Sequence, residues 1–180
     1  MRVMACLILG FALAGAGHVR AMSALRLTSP AIGADARIPE ALSSYGANRS
    51  PPLAWTPVVG ARSYAIVLDD PDAPGDRPFV HWLIWNIPGN VTALPQGLPA
   101  VARLADPPGA IQGRNGRDEI GYFGPRPPSG VHHYHFHIFA LDAPLWVAPG
   151  ADRAALSAAM NGHVLAAGEL VATFPAPGAG

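Results

Sequence analysis

Apolar residues in this chain come in short runs, divided by breaks rich in proline and glycine, and their spacing is that of strands rather than long helices. Residues 63–70 read Ser-Tyr-Ala-Ile-Val-Leu-Asp-Asp, apolar at the centre on both faces, which predicts a strand covered on both sides. Pro71 and Pro74 cannot continue a ladder, so the chain turns there. Residues 80–87 form a second predicted strand, with Trp82 and Trp85 on opposite faces, ended by Pro88-Gly89. A stiff loop, Gly124-Pro125-Arg126-Pro127-Pro128-Ser129-Gly130, then feeds a third strand that begins at His132. Alternation puts His132, Tyr134, Phe136 and Ile138 on one face, which turns apolar along its length as a core face should. His133, His135, His137 and Phe139 fall on the other.

Weaker signals fill in the rest. Residues 26–29 are a candidate first strand, stopped by Pro30, and Trp55 is expected to anchor the core. Residues 89–121 form a long, weakly periodic segment, of which 113–122 is either a solvated loop or a pocket wall. Residues 152–160 predict a short helix with Asp152 near its start, broken by Asn161-Gly162. Residues 163–168 are expected to add a helical turn, 170–174 a last strand, and 175–180 a loose tail. The expected fold class is mainly β, with a few short helices.

Composition narrows the function. Hydrophobic residues are 50% of the chain and charged ones 13%, too apolar for a disordered protein. Every basic residue is Arg and none forms a run, so no nucleic-acid partner is expected. Residues 1–24 differ from the rest: Arg2 is followed by an apolar stretch with small-residue cleavage patterns near Ala16 and Ala21. The expectation is a signal peptide over 1–24 and a single domain over 25–180, periplasmic or secreted. The apolar run is shorter than the roughly 20 residues a membrane span needs, so no span is expected after cleavage. Cys6, the only cysteine, lies in that segment, leaving the mature chain without disulfides or thiolate chemistry.

Candidate chemistry gathers at strand ends. Four Asp occur within residues 69–76. Turn capping accounts for Asp69, Asp72 and Asp76, whereas Asp70 sits where the strand stops and the proline loop begins. If the strands 63–70 and 80–87 are antiparallel, Asp70 and His81 share one end of the sheet, and His132 enters that end from the proline loop. A carboxylate there is expected to raise the imidazole pKa and keep the ring charged or oriented. Two imidazoles with loop N–H groups near Gly124 would make a small anion pocket. Without a nucleophile in a recognisable setting, binding is a better reading than turnover, and no cofactor is expected. A sharper alternative is a zinc hydrolase using His133, His135 and His137. Three in a row on one strand, each about 6.5–7 Å from the next, is a poor metal geometry, and a third ligand normally comes from another strand.

These residues also carry a resemblance. Asp70-Pro71-Asp72-Ala73-Pro74, then His81-Trp82, then Gly124-Pro125-x-Pro127-Pro128-x-Gly130-x-His132-x-Tyr134-x-Phe136 resemble the signature blocks of the phosphatidylethanolamine-binding protein family. Residues 48–55 and Ala140-Leu141-Asp142 are similar to its bacterial, Raf-kinase-inhibitor-like branch, and the match runs over about residues 25–174. The resemblance implies an antiparallel β-sandwich with a small pocket for phosphate-type anions or phospholipid head groups. It implies that Asp70, His81, His132 and Tyr134 line the pocket, that Gly124 and Pro125 supply loop backbone, and that Pro74 and Trp82 lie nearby. The chain departs from the family pattern twice. Its loop around 128–130 is shorter than the bacterial pattern commonly has, so a tighter pocket rim is expected. The C-terminal helix that covers the pocket in eukaryotic relatives has no counterpart, so a more open site is expected. Some relatives inhibit serine proteases, so a protein–protein inhibitor presenting residues 89–121 is the alternative from another functional class.

Overall fold

The computed structural model describes residues 25–179, and the expected signal segment lies outside the described residues. Two antiparallel sheets face each other. The large sheet has the order β6-β4-β3-β7-β8, from Ile111–Gln112 (β6), Phe79–Pro88 (β4), Ser63–Asp70 (β3), Val131–Leu141 (β7) and Val164–Pro175 (β8). The small one is β1-β2-β5, from Leu27–Thr28, Leu53–Trp55 and Ala93–Leu94. β3 lies at the centre of the large sheet and is buried at all eight positions, which is why its sequence is apolar on both faces.

Each face of β3 packs against a different partner. Tyr64, Ile66 and Leu68 point inward with Trp82, Tyr134, Phe136 and Ile138, and meet Leu27, Leu53, Trp55 and Leu94 of the small sheet. This is the sandwich core, with Trp55 set edge-on to Tyr64. Ala65 and Val67 point outward with Leu83 and Trp85. They are covered by Leu156 and Met160 of a helix, α1 (Arg153–Met160). Asp152 caps α1 by accepting the amide of Ala155, which satisfies one of the donors a helix start leaves bare. No helix among the described residues is long and apolar enough to cross a membrane.

One irregularity matters for the site. Leu68 pairs with Trp82 and Asp69 with Val80, so His81 is an extra residue in β4, a β-bulge. Strict alternation would send His81 outward with Leu83 and Trp85. The bulge turns it inward beside Trp82, on the face of β3 that carries Asp70.

Two expectations need correction. Residues 163–168 add no helical turn: from Val164 onward they belong to β8, a single 12-residue strand paired along the whole of β7. Leu165, Ala166 and Ala167 read as helix by propensity, but edge pairing to β7 supplies the hydrogen bonds and prevails. Residues 89–121 are not one loose segment either, since β5 and β6 tie them to both sheets. The tail is anchored at its start, where the amide of Ala176 donates to Gly130.

Candidate functional site

The bulge of β4, the end of β3 and the start of β7 bring Asp70, His81 and His132 together. Asp70 Oδ2 lies 2.8 Å from His132 Nδ1. Because a carboxylate accepts, Nδ1 of His132 donates. The other oxygen of Asp70 accepts the amide of Asp72 at 2.9 Å, fixing the proline turn against the site. His81 is held from the opposite side: its Nδ1 lies 2.7 Å from the carbonyl oxygen of Phe123, so Nδ1 carries the proton. Its Nε2 lies 3.9 Å from Asp70 Oδ2, too far for a hydrogen bond.

Packing sets the state of His81. Its ring stacks on Phe123, with centroids 5.7 Å apart, and contacts Phe79 at 4.8 Å and the edge of Tyr134 at 5.1 Å. Burial in this aromatic box lowers its pKa below the ordinary value, outweighing the hydrogen bond to Phe123 and the charge of Asp70, which act to raise it. The expectation of a carboxylate-raised imidazole is therefore reversed for His81. The ring is held neutral, and Nε2 presents a bare lone pair.

Around these groups is a cavity of about 230 Å³, lined by Asp70, Ala73, Pro74, Phe79, His81, Arg117, Phe123, Arg126, Pro128 and His132. Of the expected residues, Asp70, Pro74, His81 and His132 line it. Tyr134 stands behind His81, fully buried. Its hydroxyl meets no hydrogen-bond geometry, although Asp70 and the backbone of Arg126 lie close enough to influence it. Burial, then the charge of Asp70, push the phenol pKa far up, so it remains a donor.

Trp82, Gly124 and Pro125 do not line the cavity. Trp82 is fully buried in the sandwich core and donates to Gln112 Oε1 at 2.7 Å. The amide of Gly124 is spent on Asn48 Oδ1 at 2.7 Å, so it is not the loop donor the sequence suggested. Gly124 has a steric role: an added Cβ would run into the carbonyl oxygen of Leu42. Pro125 likewise holds the loop through its carbonyl, which accepts the amide of Ser44.

Sequence reading missed Phe79, Phe123, Arg117 and Arg126. Arg126 sat inside the proline loop, and Arg117 in the segment left open between loop and wall. Their guanidinium groups lie over aromatic faces, Arg117 at 5.0 Å from the ring centre of Phe123 and Arg126 at 5.7 Å from that of Tyr45. Arg117 also pairs with Glu119 at 3.4 Å. The lining holds two guanidinium groups and one carboxylate, the latter engaged by His132, and no hydroxyl or thiol nucleophile. A wider groove of about 750 Å³ runs between residues 31–45 and the C-terminal tail. It contains none of the histidines, so the chemistry points to the smaller cavity.

The remaining acids and histidines sort differently from expectation. Asp69 is not a turn cap: it is buried and takes Arg153 at 2.6 Å and His137 at 3.5 Å. Asp72 does not only shape the turn either, since its Oδ2 accepts both the amide and the Nδ1 of His133. That contact draws His133 away from His135 and His137, so the three-histidine zinc set does not assemble.

Comparison with known proteins bears on the family and the fold. The family model for phosphatidylethanolamine-binding protein matches residues 28–175. A UPF0098 protein of Methanothermobacter thermautotrophicus is 43% identical over 151 residues, 83% of this chain and 98% of the relative. The crystal structure of a phosphatidylethanolamine-binding protein homologue from Chlamydia trachomatis has a TM-score of 0.75 at 35% identity, over 84% of this chain and 97% of that one. The structure of Escherichia coli YbcL, described as a member of the mammalian PEBP family, has a TM-score of 0.77 at 30% identity, covering 85% and 99%.

Proposed function

The chain belongs to the phosphatidylethanolamine-binding protein family, and we propose that it is an exported, non-catalytic binding protein for a small phosphate-type anion or phospholipid head group. One observation carries this reading: Asp70, His81 and His132 meet in a cavity whose lining also includes Arg117 and Arg126. Arginine favours phosphate because its planar fork donates two parallel hydrogen bonds. The neutral Nε2 of His81 can accept from a protonated phosphate oxygen or take up a proton as an anion arrives. Tyr134 stands behind the lining, its buried hydroxyl close to Asp70 and to the backbone of Arg126, where it can support the carboxylate that orients His132.

Binding is preferred over turnover because the lining has no nucleophilic hydroxyl or thiol. It is preferred over protease inhibition because the carboxylate, the imidazoles and both guanidinium groups converge on a cavity of small-molecule size, about 230 Å³.

Isothermal titration with phosphorylethanolamine, inorganic phosphate and ethanolamine tests the proposal. Saturable binding of the two phosphates, lost in His132→Ala with the fold intact by circular dichroism, is expected. Affinity for phosphorylethanolamine above that for phosphate would favour the head group. Binding that is equal in His132→Ala, or absent for all three compounds, would overturn it.

A further inference from the structure

We infer that the outward face of the large sheet carries a second site, for a first-row divalent transition ion of the Zn²⁺ type, formed by His135, His137 and Glu169. These residues stand on the opposite side of β7 from the anion pocket, so the inference does not depend on that reading. Register brings them together. Glu169 of β8 is directly across from His137 and diagonal to His135, at distances cross-strand side chains can bridge. Among the described residues their ligand atoms all lie within 4.8 Å of one another. Nδ1 of His135 is 2.7 Å and Nδ1 of His137 3.4 Å from the same Glu169 oxygen. Donors around a tetrahedral zinc ion are about 3.4 Å apart, so small rotamer adjustments suffice. The imidazole rings are already nearly parallel, 21° apart with centroids at 5.9 Å.

A second observation supports the assignment. With Nδ1 facing the ion, Nε2 of His137 points to Asp69 Oδ1 at 3.5 Å, and Asp69 is itself fixed by Arg153 at 2.6 Å. A carboxylate behind a metal-ligating imidazole holds the ring in the tautomer that leaves the ligating nitrogen bare. Two imidazoles and one carboxylate suit zinc better than calcium or magnesium, which prefer oxygen. Three protein ligands leave the fourth position to water or to a donor from elsewhere. All three side chains are partly exposed, so an ion can enter without opening the fold.

The experiment is Zn²⁺ titration of the untagged protein, with Co²⁺ substitution read by visible absorption. One equivalent is expected to bind, with the Co²⁺ spectrum of four-coordination. His137→Ala should weaken binding by about a hundredfold or more, and Asp69→Asn by about tenfold as a positioning residue. His133→Ala and His163→Ala, which remove the other exposed histidines among the described residues, should leave it unchanged. All these side chains lie at the surface except Asp69, and circular dichroism verifies each fold. No saturable uptake at about 100 µM Zn²⁺, or equal uptake by His137→Ala, would overturn the site. Unchanged affinity in Asp69→Asn would overturn the positioning role.

Discussion

His81 and Asp70 face each other at 3.9 Å without a hydrogen bond, because Phe123 holds the only proton of the imidazole on its far side. His132 takes the near contact with Asp70 at 2.8 Å instead. The two histidines therefore differ in kind: His132 is bound to the carboxylate, and His81 is poised beside it with a lone pair free. An anion beside that lone pair favours the protonated ring.

Anion affinity should accordingly rise on acidification. Sulfate is the useful probe, since it does not itself titrate in this range. Its association constant should grow between about pH 7.5 and about pH 5.5, by no more than about tenfold per unit for one proton taken up. Calorimetry in buffers of different ionisation enthalpy reads the proton directly. Binding independent of buffer and pH would remove His81 from the site.

The same imidazole links stability to pH. Its folded pKa lies below the ordinary 6.5, so between the two values the unfolded chain binds more protons than the folded one. The stability contributed by the neutral ring is full above 6.5 and is lost as pH falls through the lower folded value. Urea unfolding should show this loss, and His81→Phe should flatten that part of the profile while costing about 1–3 kcal/mol for the orphaned Phe123 carbonyl. An unchanged slope would contradict a buried neutral His81.

Tyr134 separates stability from function. Its buried hydroxyl has Asp70 and the backbone of Arg126 nearby but no hydrogen bond of good geometry, a condition that costs up to about 1–3 kcal/mol on mutational scales. Tyr134→Phe should leave the ligand-free protein equally stable or more stable, yet weaken phosphate binding several-fold. Thermal denaturation and calorimetry on the same sample measure both effects. A clearly destabilised variant would mean the hydroxyl is already satisfied.

Much of this was legible in the chain, for identifiable reasons. The limits of β3 followed from an apolar run closed by Pro71, and the inward face of β7 from strict alternation. The bulge at His81 left no mark in the residue pattern, so only its neighbours' chemistry suggested the inward aim. Glu169 was out of reach because Ala166, Ala167 and Gly168 hide a strand whose structure comes from its partner. Asp69 resembled a turn residue because its partner, Arg153, is distant in sequence. Gly124 was noticed for the right loop and given the wrong role, since its value lies in missing atoms rather than in its amide.

That role is open to test. In Gly124→Ala the new methyl meets the backbone of Leu42 and Ser43, which cannot swing aside as a side-chain end can. A loss of about 1–3 kcal/mol is expected, with the pocket distorted through the displaced Phe123 and Arg126. Denaturant unfolding would show it, and a variant as stable as the parent would mean the loop yields freely.

The most direct measurement follows the histidine ring resonances by ¹H–¹³C NMR while phosphorylethanolamine is added. The rings of His81 and His132 should shift together and saturably, while the exposed His163, which is paired with Asp142, stays in place as an internal reference. Shifts confined to exposed histidines, or none at His81 and His132, would contradict an anion pocket built on these two residues.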